Sequence, residues 1–138
     1  MRAGLTDGAR AIELFELAGE HDAAGRESEA VAPYREALAL GLPPDLELRA
    51  RIQLASTLRN LGEHAEAVDI LREVVRLHPD HRAARMFLAL ALVSDGQAPA
   101  AVHELLDLLL THPGPPEAYA VSLRWYADDL VGLAAADD

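Results

Sequence analysis

Apolar residues recur along most of the chain at the three- and four-residue spacing of an α-helix, and glycine and proline break the runs at regular places. Leu54, Ala55, Leu58 and Leu61 make one stripe, Ala67, Val68, Leu71, Val74 and Val75 make a second, and Gly62 stands between them. Two antiparallel helices joined by a tight turn have this pattern. The spacing predicts helix pairs over about 11–36, 50–77 and 83–111. No pair can bury its stripe alone, so neighbouring pairs must stack to make a core.

The breaks are themselves periodic. His78-Pro79 recurs 34 residues later as His112-Pro113, Gly62 as Gly96, and Ala67-Val68 as Ala101-Val102. An upstream copy, with Gly25 and Glu29-Ala30-Val31, fits at an offset of 37, and a loop at Pro43-Pro44-Asp45 is expected to absorb the three extra residues. A small residue lies in each first helix (Ala18, Ala55, Ala89), a larger one three positions on (His21, Leu58, Leu92), and an alanine early in each second helix (Ala30, Ala67, Ala101).

On these positions the chain resembles the tetratricopeptide repeat family. It departs from the family at Arg51 and Arg85, where a tryptophan is frequent, at Val74 and Leu108, where a small residue is usual, and at Leu42 in place of the first terminal proline. The resemblance implies an all-α, right-handed solenoid forming a single domain. Three helix hairpins, about 11–44, 48–81 and 82–115, would be followed by a capping helix at about 116–134. It also implies a concave inner wall made by the first helix of each unit. In the capping segment Tyr119, Leu123 and Tyr126 fall at core positions, and the tail after Leu133 is expected to fray.

Composition agrees with helices throughout: Ala and Leu dominate and aromatics are 4% of the chain. The net charge of −11 disfavours nucleic acid, which needs a cationic patch. Residues 48–81 balance five Arg against five acids and are the least repulsive stretch for an acidic ligand. All 12 basic residues are Arg, a usage that fits a GC-rich, bacterial-like composition. Cysteine is absent, which removes disulfides and thiolate chemistry. No run reaches the length of a membrane span, and Met1 to Asp7 lack the apolar stretch of a secretion signal. A cytoplasmic protein that leaves the membrane alone is expected.

Candidate chemistry is sparse. The six histidines fall mostly in turns and at aromatic positions, with no set of three suited to a metal. No nucleophile elbow, phosphate loop or zinc-protease helix is present. Neither an enzyme nor a cofactor is expected. The Lys and Asn clamp by which some proteins of the resembled family hold acidic chaperone tails is missing, since Phe15, Gly19, Gln53, Ala83 and Phe87 stand at those places.

The expected function is capture of an extended or helical segment of another protein in the concave groove. Arg49, Gln53, Ser56, Arg59, Asn60 and Arg124 would supply polar anchors, and Ile52, Met86 and Leu90 apolar contact. Glu117 and Ala120 are placed on the same inner side as Arg124. Trp125 falls off the main stripe and is expected either to pack on the flank or to anchor an interface. The helix from Arg85 to Val93 is apolar nearly all round, which leaves three readings open: a ligand covers it, the closing helix covers it, or a second copy does, giving a homodimeric scaffold.

Overall fold

The computed structural model describes residues 4–134, so expectations resting on Met1 to Ala3, or on the tail beyond Ala134, lie outside the described residues. Among these residues there are seven helices and no strand: α1 (Asp7–Ala23), α2 (Glu27–Leu40), α3 (Pro44–Asn60), α4 (His64–Leu77), α5 (Arg82–Ser94), α6 (Ala98–Thr111) and α7 (Ala120–Leu130). Each of α1 to α5 packs on the helix after it, and α5 also touches α3 and α7. The odd-numbered helices therefore line one side of the stack.

The same turn closes each hairpin. Gly25, Gly62 and Gly96 have φ of +76°, +89° and +77°, a left-handed conformation that costs a residue with a Cβ about 1 kcal/mol. Beyond each glycine the next N–H reaches back to the carbonyl of His21, Leu58 or Leu92, at 2.8 Å in all three cases. That bond satisfies a carbonyl otherwise orphaned at the helix end. Ala18, Ala55 and Ala89, with Ala30, Ala67 and Ala101, are all buried, as close approach of paired helices requires.

The boundaries differ from expectation at the starts of α1 and α3 and at both ends of the closing helix, expected at about 116–134 and found at Ala120–Leu130. α1 begins at Asp7, where the Thr6 hydroxyl caps it by accepting the Ala9 N–H at 3.1 Å. Pro44 and Asp45, expected in a loop, instead form the first turn of α3. Proline has no N–H to leave unpaired there, and Asp45 and Glu47 oppose the positive end of the helix dipole.

A buried ion pair ties α5 to α6. Arg85, whose side chain is 6% exposed, donates through Nε to Glu104 at 2.7 Å and through Nη2 to Asp107. Its Nη1 also reaches the Pro79 carbonyl. Burial lowers the guanidinium pKa, and the two carboxylates outweigh that effect and hold it above its ordinary value. On the surface, Arg35 of α2 and Glu66 of α4 form a forked pair that spans two hairpins.

Candidate functional site

The inner wall consists of α1, α3 and α5, and α7 lies over it. Two features turn the chain there. Arg82 Nε donates to the Pro115 carbonyl at 2.6 Å, and the Glu117 carboxylate accepts the N–H groups of Arg82 and Ala83 at the start of α5. Burial raises the Glu117 pKa, but those N–H bonds, with the residue's own backbone N–H, outweigh it and leave the carboxyl below its ordinary value. Tyr119 then takes φ +65°, a conformation uncommon outside glycine, and aims α7 along α5.

From α7 and its cap, Tyr119, Leu123 and Tyr126 point at the wall, one and two turns apart. The Tyr119 ring meets Phe87 edge-on with centroids 5.6 Å apart. Leu123 is 9% exposed and closes an apolar cleft of about 240 Å³ shared with Met86, Leu90, Val93 and Leu105. The Tyr126 hydroxyl accepts the Asn60 amide N–H at 2.9 Å, and the Arg59 guanidinium lies over its ring at 5.2 Å.

Beneath α7 is a polar cavity of about 310 Å³ whose lining includes Asp22, Glu27, Gln53, Ser56, Asn60 and Ser122. Its floor is a hydrogen-bonded chain. Tyr34, fully buried, donates to Asp22 at 2.7 Å, and Thr57 donates to the same carboxylate at 2.9 Å. The Gln53 amide sits 2.9 Å from the hydroxyls of both Tyr34 and Tyr119. The Tyr34 hydroxyl proton is shared between Asp22 and Gln53 Oε1, and Gln53 Nε2 donates to the Tyr119 hydroxyl. Burial, reinforced by Asp22, drives the Tyr34 pKa well above the ordinary phenol range.

The expected binding residues divide accordingly. Gln53, Ser56, Arg59 and Asn60 do come together on the wall, and α7 already engages Gln53, Arg59 and Asn60. Arg59 also donates to Ser94 at 2.8 Å, and burial lowers its pKa while Tyr126 and Asp129 oppose the shift. Arg49 stands at the rim with its guanidinium 5.4 Å above the Phe15 ring. Met86 is half-buried in the apolar cleft.

Four assignments need correction. Ile52 is 1% exposed and belongs to the core cluster, bordering the cavity beneath α7 from within it instead of standing free on the wall. Leu90, at 7%, is covered by α7, which answers in part what shields the apolar helix. Arg124 faces water and pairs with Asp128 at 2.9 Å, since the Tyr119, Leu123 and Tyr126 stripe takes the inward face of α7. Glu117, also expected to face the groove, caps α5 instead. Trp125 lies on the flank, edge-on to Tyr126 and 45% exposed.

The histidines serve as caps and turn partners. His81 accepts the Ala84 N–H at 3.1 Å, and His21 takes the Arg26 side chain at 3.1 Å. Among the described residues no group of three or more His, Asp or Glu converges as metal ligands would.

Helix hairpins in tandem, sharing one glycine turn and one inner wall, define an α-helical repeat protein. A family model described as tetratrico peptide repeat matches residues 11–130, and the chain belongs to that family. Repeats of this family generally mediate protein–protein interaction, and proteins built from them are typically non-enzymatic scaffolds. No curated protein and no solved structure matches the chain. Among the described residues no helix is long and apolar enough to cross a membrane.

Proposed function

We propose that this chain is a protein-interaction module whose inner wall receives an amphipathic helix from a partner. The observation that supports the reading is α7 itself: an eleven-residue helix lies on the wall, held by the side chains a helical ligand would use. Gln53 and Asn60 bind its hydroxyls, Arg59 covers an aromatic face, and Phe87 and Leu90 take its apolar side. A partner helix of this chemistry carries an aromatic hydroxyl, a leucine and a second aromatic hydroxyl one and two turns apart, and it competes with α7 for one place.

A synthetic helix with the sequence of residues 118–131 serves as the probe, measured by fluorescence anisotropy against the full chain. Leu123→Asp in the chain should release its own α7 and allow the labelled helix to bind. Adding Gln53→Ala and Asn60→Ala should weaken that binding at least about tenfold, the equivalent of two lost hydrogen bonds. Equal binding with and without the wall substitutions would refute the site.

A further inference from the structure

The outer face of α6 is unlike that of the helix it repeats. Val68 and Leu71 of α4 are 2% and 1% exposed because α5 packs on them, whereas their counterparts 34 residues later, Val102 and Leu105, are 55% and 40% exposed. The cause is the course of α7, which goes to the inner wall. Leu123 stands where the earlier units have Ala55 and Ala89, and its bulk opposes the close approach that a fourth stacked helix would need. Leu106, Leu109 and Leu110 extend the open stripe at 55%, 65% and 83% exposure. The five residues follow the spacing of a helix-packing seam.

We infer that two copies of this chain pair through the outer faces of α6, antiparallel and centred near Leu106. Size is the first argument. At the stated exposures the five side chains offer roughly 500 Å² per copy, so a pair that covers them fully removes about 1,000 Å², the lower end of specific interfaces. Charge is the second. A chain of net charge −11 repels its own copy over most orientations, but the only acids of α6, Glu104 and Asp107, are both bonded to the buried Arg85. The seam thus sets no uncompensated like charges against each other. Antiparallel pairing also opposes the two helix dipoles favourably. Leu105 also borders the cleft under α7, but Val102, Leu106, Leu109 and Leu110 line none of the space beneath that helix, so a pair seated on them is tested independently of the groove reading.

Sedimentation equilibrium of the full chain from about 1 to 200 µM tests it, with the mass expected to rise from 14.8 kDa toward twice that value. Added salt should tighten the pair by screening the like net charges. Leu106→Glu should weaken it at least about tenfold while helical circular dichroism is kept. Because the chain has no cysteine, Leu106→Cys can be joined by a short bismaleimide, and Val121→Cys, 86% exposed on α7, is the control. A cross-linked dimer from Leu106→Cys alone supports the seam. A monomer at every concentration overturns the inference, as does a dimer that survives Leu106→Glu, dissociates with salt, or cross-links only through Val121→Cys.

Discussion

Leu123→Ala separates the docking of α7 from the stability of the hairpins beneath it. Leu123 is the one buried residue of α7 and is 9% exposed. Its removal forfeits about 2 kcal/mol of transfer free energy, and the cavity left against Leu90 and Met86 brings the cost to about 2–3 kcal/mol. The other attachments are smaller: each tyrosine hydrogen bond contributes about 1 kcal/mol, the Tyr119–Phe87 contact about 1, and the Arg59–Tyr126 contact about 0.5. Leucine is therefore the largest single contribution, and its loss should shift the docking equilibrium by about thirty- to a hundred-and-fifty-fold.

α7 makes few backbone-level contacts outside α5, so it should open as a unit of its own. Hydrogen exchange should rise across residues 120–130 by that factor, with a red shift of Trp125, the sole tryptophan. The urea unfolding free energy of the helices α1 to α6 should change by less than about 0.5 kcal/mol. If the whole 2–3 kcal/mol appears in one global transition, with α7 exchanging only on complete unfolding, the picture of a separately docked helix is wrong.

Arg85→Ala should cost about 3 kcal/mol in urea unfolding, because Glu104 is left buried without its cation, and Arg85→Ala with Glu104→Ala should recover part of that loss. Tyr34→Phe should cost about 1–2 kcal/mol by the same measurement, since Asp22 keeps only Thr57 and Gln53 loses one neighbour. Glu117 gives a pH signature. Its folded pKa lies below the ordinary 4.5, so its stabilisation is complete above that value and is lost as pH falls through the depressed one. Glu117→Gln should therefore be less stable than the parent by a constant amount at neutral pH, with the gap narrowing as pH falls below 4.5. A gap independent of pH would show that the carboxylate charge plays no part.

The repeat could be read from the sequence because its restraints are local. Gly25, Gly62 and Gly96 sit where a left-handed turn is required, and alanines sit where helix axes come close. The helix face was legible: Gln53, Ser56 and Asn60 line one cavity under α7, and Arg59 lines the adjoining one with Asn60. Ile52 borders the same cavity but is buried, and its burial depends on how closely the neighbouring helices approach, a distance that periodicity does not carry. The facing of α7 was misjudged for a different reason. Repeat register suggested inward Glu117, Ala120 and Arg124, while the left-handed Tyr119 and the bonds from Glu117 to α5 rotate the helix. Arg85 did leave a signal: a cation on an otherwise apolar, core-facing stripe requires a partner, and Glu104 and Asp107 lie one turn apart on the adjacent helix.

Nuclear Overhauser contacts from the Tyr119 and Tyr126 rings test most directly whether the wall is a seat for a helix. Tyr119 should show contacts to Phe87, and Tyr126 to the side chains of Arg59 and Asn60, weakening together when a competing helix is added. Contacts from Tyr126 to Leu105 and Leu109 of α6, with none to α3, would contradict the account and return α7 to a fourth stacked position.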